Sequence, residues 1–287
     1  MITATGLSVH FGQAPILRSV DFAAAAGSLT AIVGPNGSGK TTLIRALTGD
    51  VAFDGRVTIN GRCLSSLKAW ELAAMRAVLP QAATLSFPYT VREIVRLGLV
   101  GGRSGARDGE SGAIVEQALA RVDLAGFAGR FYQELSGGEQ QRVQLARVLC
   151  QVWLPVLDDV PRFLFLDEPV SSLDIRHQLV IMRIAREFAD AGGGVISILH
   201  DLNLTAMFAD RVTVVHRGQV AAAGEPRATL TDDLMERVFE CPLRVGAIPP
   251  AGTMFVLPQS AWAVERQLSE SAYRKAFREP APAYWSE

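Results

Sequence analysis

Leu29-Thr30-Ala31-Ile32-Val33-Gly34-Pro35-Asn36-Gly37-Ser38-Gly39-Lys40-Thr41-Thr42 decides the fold. Its first five residues are β-rich and, Thr30 apart, apolar, the mark of a strand buried on both faces. The glycine-rich middle interrupts that strand, and the run from Thr42 to Thr48 reads as helix. Between the two, Gly34 to Thr41 fits the phosphate-loop pattern G-x-x-x-x-G-K-[ST]. Glycines there let backbone N–H groups turn inward around phosphate oxygens, and the helix N-terminus adds partial positive charge. Lys40 is placed for the β- and γ-phosphates of a nucleotide and the Thr41 hydroxyl for Mg²⁺. A chance Gly-rich turn would have no reason to carry both flanking elements.

A second stretch completes the phosphate chemistry. Phe163-Leu164-Phe165-Leu166 predicts another buried strand, and Asp167-Glu168 follow it. Two carboxylates at the C-terminal end of such a strand stand where ligands of open α/β sheets bind. Asp167 is the candidate to hold Mg²⁺, through water. Glu168 is the candidate to orient or deprotonate the attacking water, a role typically worth about 10²–10⁴-fold in rate. Val195 to Leu199 and Val212 to Val215 read as further buried strands, while Ile2 to Val9 and Arg56 to Asn60 alternate as flanking antiparallel strands would. Strands alternating with helix-like stretches predict an α/β fold with a mainly parallel sheet.

Between Gln81 and about Gln151 helical patterning takes over, and a helical subdomain is expected there, inserted into the sheet domain. Thr90-Val91-Arg92-Glu93 and Ser136-Gly137-Gly138-Glu139 both have the form of a capping box. Gly101 to Glu110 is a polar, Gly-rich loop. Beyond Gly224 the sequence predicts another helix, a Pro-rich link at Pro249-Pro250 and a last amphipathic helix near Ala261 to Phe277.

The 287 residues are 49% hydrophobic and 20% charged, ordinary globular usage, and the formal net charge of -1 gives no reason to expect a nucleic-acid partner. The long uncharged run Phe22 to Gly39 is broken by glycines and a proline, and no membrane span is expected. Met1 to Gly6 lacks the basic and apolar segments of a secretory leader. Cys63, Cys150 and Cys241 are isolated, which suits a reducing compartment. A cytosolic protein that meets any membrane through a partner is the expectation.

Leu135-Ser136-Gly137-Gly138-Glu139-Gln140-Gln141-Arg142 resembles the signature sequence of ATP-binding cassette (ABC) ATPases, and the resemblance extends over roughly Ile2 to Gly224 with the family's elements in order. It implies a P-loop NTPase fold of the RecA-like kind, an ATPase domain over residues 1–224, a helical subdomain at about 82–151 and a C-terminal helical extension over 225–287. It also implies ATP and Mg²⁺ as cofactors. Phe11 stands where the family stacks an aromatic on adenine, and Gly34, Pro35, Asn36, Gly37, Ser38, Gly39, Lys40, Thr41 and Thr42 cradle the nucleotide. Gln81 resembles the glutamine that senses Mg²⁺, water and the transmembrane partner, so Thr41, Gln81 and Asp167 form the expected metal set. His200 matches the histidine at the γ-phosphate, and joins Glu168, Lys40 and Gln81 as expected catalytic residues. Asp174, in Ser172-Leu173-Asp174, resembles the loop that crosses the dimer interface.

The signature would meet the γ-phosphate bound by a second copy, through Ser136, Gly137, Gly138 and Glu139. One motif set per chain therefore implies a homodimer with two composite sites. Glu139 replaces the family's usual glutamine; as the third residue after Ser136 it can fold back onto the cap, and it suits a helix N-terminus.

Arg76 to Gln81, Leu85 to Val91, Leu166 to Ile175 with His177-Gln178, and Ile198 to Ala206 resemble importer ATPases of the iron-chelate, haem and cobalamin group, the haem branch foremost. The link around Trp153 to Pro161 is longer than usual. The resemblance implies two transmembrane permease subunits and, indirectly, a periplasmic haem-binding protein. Such an ATPase lies on the cytoplasmic face of the inner membrane and hydrolyses ATP to drive import. The cargo never touches this subunit, so His10, His177 and His216 are not read as haem ligands, and siderophore or cobalamin remain open as cargo. Non-transport ABC ATPases carry two cassettes in one chain or long coiled coils, and neither is present here; a small-molecule kinase has no use for the signature.

Overall fold

The computed structural model describes residues 1–81, 87–100, 104–105 and 111–261. The predicted helix near Ala261 to Phe277 lies, but for Ala261, outside them, as do Leu85, Ser86 and most of the Gly101–Glu110 loop.

The chain opens with β1 (Ile2–Phe11), β2 (Ala14–Ala24) and β3 (Leu29–Val33), then α1 (Lys40–Leu47), β4 (Asp54–Ile59) and β5 (Arg62–Cys63). Next come α2 (Ala69–Met75), β6 (Arg76–Leu79), α3 (Val91–Leu97), α4 (Ser111–Arg121) and α5 (Gly137–Gln151). A hairpin of β7 (Val156–Leu157) and β8 (Val160–Pro161) leads into β9 (Phe163–Asp167). The rest is α6 (Ile175–Asp190), β10 (Gly194–Ile198), α7 (Leu202–Phe208), β11 (Arg211–His216), β12 (Gln219–Gly224), α8 (Pro226–Thr229) and α9 (Asp232–Phe239).

Two sheets form the body. The larger has the order β12-β11-β3-β10-β9-β6, parallel except for the edge strand β12, and the smaller is antiparallel in the order β2-β1-β4-β5. Every residue of β3, β9 and β10 is buried, as continuous apolar strands covered on both faces must be. Their pleat divides two cores. Phe163 and Phe165 with Ile196 and Ile198 face Leu43, Ile44 and Leu47 of α1 and the inner residues Ile2, Leu7 and Leu17 of the small sheet. Leu164, Leu166 and Val195 face the opposite way, with Val143, Ala146 and Leu149 of α5 and Ile181 and Phe188 of α6. Alternation along each strand thus glues one layer to each side.

The parallel sheet sets the geometry of everything that follows. β3, β10, β9 and β6 are hydrogen-bonded neighbours running the same way. The segments leaving their C-terminal ends therefore converge on one edge: residues 34–41, His200, Asp167-Glu168 and Gln81.

α3, α4 and α5 pack together within the stretch where the sequence predicts helical patterning. Both predicted capping boxes form: Thr90 and Glu93 at α3, Ser136 and Glu139 at α5. The long Trp153–Pro161 link folds into the β7–β8 hairpin, whose turn residues Asp158 and Asp159 have φ of 52° and 59°. Asn60 Nδ2 donates to the Pro161 carbonyl at 2.9 Å and Leu154 N–H to the Ser104 carbonyl at 3.3 Å, so the hairpin ties the small sheet to the helical region. Leu230, Leu234, Met235 and Val238, from the segments around α8 and α9, join the main core. Among the described residues, no helix is long and apolar enough to cross a membrane.

Candidate functional site

The loop between β3 and α1 takes a shape that only glycine permits at its start. Gly34 has φ +149°, and a Cβ there would lie 2.0 Å from the Val215 carbonyl oxygen of β11. Gly37 and Gly39 also have positive φ, at 75° and 106°. Lys40 opens α1 and folds back along the loop, its Nζ donating to the Gly34 and Pro35 carbonyls at 2.9 and 2.8 Å. Burial holds the Lys40 ammonium below its ordinary value, against the pull of Glu168 and Asp167. The buried Ser38 hydroxyl has no hydrogen-bond partner among the described residues. It is a donor left over in a loop whose geometry suits an anion.

Thr41 Oγ1 donates to Asp167 Oδ1 at 3.4 Å, across from α1 to the end of β9. Burial first, then the neighbouring Glu168 charge, push the Asp167 carboxyl up to about 6. A buried acid beside a second acid and a hydroxyl is an all-oxygen donor set, the chemistry that suits Mg²⁺.

Glu168 leaves β9 with a left-handed backbone, φ 53°. Its side chain is gripped at both oxygens: His200 Nε2 stands 2.7 Å from Oε1, and Gln81 Nε2 donates to Oε2 at 3.0 Å. Its carbonyl accepts from Gln141 Nε2 at 3.1 Å and from Ser171 Oγ at 3.2 Å. The left-handed backbone is therefore held at its carbonyl by two donors and through its side chain by two more groups.

These groups surround an open cleft of about 660 Å³. Phe11, half exposed at the end of β1, lines it together with Ile16, Asn36, Gly37, Gly39, Lys40, Thr41, Thr42, Gln81, Glu168 and His200. The expected nucleotide, water-activating and sensing residues thus meet in one place. Gly34, Pro35, Ser38 and Asp167 are not among its lining residues, though Gly34 and Pro35 accept from Lys40 and Asp167 accepts from Thr41, which are.

The signature residues are elsewhere. Ser136, Gly137, Gly138 and Glu139 form the start of α5 and do not line this cleft, nor does Asp174. Glu139 folds back as expected, its Oε2 accepting from Ser136 N–H at 2.8 Å and from Ser136 Oγ at 2.7 Å. Those hydrogen bonds hold its carboxyl below the usual range. Asp174 caps α6, accepting the His177 N–H at 2.9 Å.

Two contributors escaped the sequence reading. Gln141 lies inside the signature stretch, but only the fold reveals that its amide reaches the Glu168 carbonyl. Ile16 lines the cleft because β2 pairs back along β1, which no local pattern announces.

The comparisons with known proteins agree with this geometry. Residues 17–171 match the model of the ABC transporter family. The hemin import ATP-binding protein HmuV of Mesorhizobium japonicum is 66% identical over 91% of this chain and 99% of its own length. The HmuV of a Chelativorans species is 60% identical over the same shares. A bacterial ABC transporter cassette solved as a dimer superposes with a TM-score of 0.69 at 27% identity, over 79% of this chain and 99% of that one.

Proposed function

This chain belongs to the ABC transporter family, and on that premise we propose that it is the ATP-hydrolysing subunit of a hemin importer. It works as a homodimer at the cytoplasmic face of the inner membrane, beneath two separate permease subunits served by a periplasmic haem-binding protein. The chemistry rests on one observation: the Glu168 carboxylate is held by Gln81 and His200 directly beside a phosphate loop. The cargo rests on the 66% identity to a hemin import protein along nearly the whole of both chains.

ATP enters the cleft with its adenine on Phe11 and its phosphates in the loop. Lys40 exchanges the Gly34 and Pro35 carbonyls for the β- and γ-phosphates. The loop's N–H groups and the Thr41 and Thr42 ends of α1 supply further donors. Thr41, Asp167 and Gln81 would hold Mg²⁺, whose charge offsets that of the phosphates. Glu168 takes a proton from the water that attacks the γ-phosphorus as its bond to the ADP oxygen breaks; Gln81 keeps hold of one carboxylate oxygen, and His200 holds the other until ATP arrives. His200 also reaches the γ-phosphate, releasing one Glu168 oxygen as it does so.

Within one chain the free end of α5 faces no nucleotide. A second copy supplies the missing wall: Ser136, Gly137, Gly138 and Glu139 close on the partner-bound γ-phosphate, and the loop at Asp174 crosses between the copies. Residues 1–224 carry this ATPase unit, with the helical subdomain at about 82–151 turned to the permease; residues 225–287 extend it.

Growth of a host carrying Glu168→Gln, with iron supplied only as hemin or only as a ferric siderophore, tests the reading. Loss of growth on hemin alone is expected. Loss on the siderophore alone would reassign the cargo.

A further inference from the structure

A cluster of charged groups outside the cleft joins the two parts of the molecule that must face a partner copy. His177, on the first turn of α6, has a carboxylate at each ring nitrogen. Its Nδ1 lies 2.9 Å from both Asp174 oxygens, and its Nε2 lies 3.4 Å from Asp123 Oδ2. The ring is largely shielded from solvent.

Asp123 belongs to a different part of the chain. It sits in the turn between α4 and α5 with a left-handed backbone, φ 60°. Arg176 pairs with its carboxylate at 3.0 Å. From α5, at the end of the signature stretch, Arg142 Nη1 donates to the Val122 and Asp123 carbonyls at 3.0 and 2.9 Å. The turn is thus pinned to the signature helix by its backbone and to α6 by its side chain. A third contact closes the loop: a Cβ at Gly138 would lie 3.0 Å from Leu173 Cδ2 and 3.6 Å from the Ser172 carbonyl, so the start of α5 already rests on the loop that ends at Asp174.

We infer that His177 is a positioning residue that latches the signature helix, through Asp123, to the Ser172–Asp174 loop, so that both walls of the composite ATP site move as one. This rests on the dimeric reading above. Neither Asp123 nor His177 lines the nucleotide cleft of its own chain, so loosening the latch leaves ATP binding to the monomer intact. It weakens only the step in which two nucleotide-loaded copies close on each other. Four facing groups carry the latch: Asp174 and Arg176 flanking the ring on its own segment, Asp123 from the α4–α5 turn and Arg142 from α5. Interacting groups in one such network are coupled rather than independent.

The test is a double-mutant cycle in full-length protein already carrying Glu168→Gln, which arrests the closed dimer. Asp123→Asn, His177→Ala and the pair are compared by two readouts: the ATP concentration for half-maximal dimerisation, followed by sedimentation, and the affinity of the dilute monomer for a fluorescent ATP analogue. Each single substitution is expected to raise the dimerisation midpoint by about threefold or more, and the pair by little beyond either alone. Monomer affinity stays at the parent's value, which also shows that the variants are folded. Unchanged midpoints, effects that simply multiply, or an equal loss of monomer affinity overturn the latch. A parent that remains monomeric at saturating ATP would instead overturn the assembly on which the latch depends.

Discussion

His200 Nε2 stands 2.7 Å from Glu168 Oε1, so the acid that ends one strand is held by a side chain delivered from the next. Gln81, from the far side of β9, holds the other oxygen. Three parallel neighbours therefore aim a single carboxylate, and their hydrogen-bonded register fixes that aim. Such preorganisation suits the water-activating role proposed for Glu168, because misplacement by about 1 Å can cost on the order of 10²-fold in rate.

Glu139→Gln should leave ATP turnover nearly unchanged. Glutamine serves the third position of a capping box as well as glutamate does. Even if the whole difference in the cap, below about 1 kcal/mol, entered the barrier, steady-state phosphate release would change by under about tenfold. Ser136→Ala removes the cap's acceptor at the Glu139 N–H and should cost about 1 kcal/mol of stability in thermal melts. Turnover abolished by Glu139→Gln would mean that the carboxylate itself enters the chemistry.

Asp167 should make the nucleotide-free, metal-free protein less stable as pH rises. Its folded-state value, about 6, lies above the ordinary 3.8 because burial and Glu168 disfavour the charged form. The folded chain then binds more protons than the unfolded chain between those values, so this group's contribution falls from about pH 4 to about pH 6 and stays low above. Asp167→Asn should flatten that fall and raise the melting temperature at pH 7 by roughly 2–4 °C, about 1 kcal/mol in a chain of this size. A variant that melts lower than the parent at pH 7 would contradict this.

The cysteines should react unequally. Burial on α5 pushes the Cys150 thiol up to about 12, whereas the hydrogen bond from Ser65 holds Cys63 below its ordinary value. Brief iodoacetamide treatment at pH 8, read by mass spectrometry, should label Cys63 in native protein and Cys150 only after denaturation. Labelling of native Cys150 would show that α5 opens readily.

Much of this was legible before the fold was known, because the decisive signals are local. A strand, a glycine loop and a helix in sequence leave Lys40 and Thr41 little choice of position, and four apolar residues before Asp167 fix its place at a strand end. The capping residues at Thr90 and Ser136 announced their helices for the same reason. What stayed hidden depends on chain returning from elsewhere. β12 alternates half-buried and exposed residues as an edge strand without a strong apolar run. The β7–β8 turn uses Asp158-Asp159 in left-handed backbone, where Asn-Gly or Asp-Gly would have signalled a hairpin. The reach of Gln141 to the Glu168 carbonyl, and the meeting of Asp123 with His177, join residues 27 and 54 positions apart that no periodicity connects.

The central claim is an ATPase whose base is Glu168 and whose signature acts across a dimer. Full-length Glu168→Gln, given saturating ATP and Mg²⁺, measures both at once by phosphate release and sedimentation. Hydrolysis should fall about 10²–10⁴-fold while the protein sediments as a dimer retaining one ATP per chain. Near-normal hydrolysis would contradict the assignment of the base, and a nucleotide-loaded monomer would contradict the shared site.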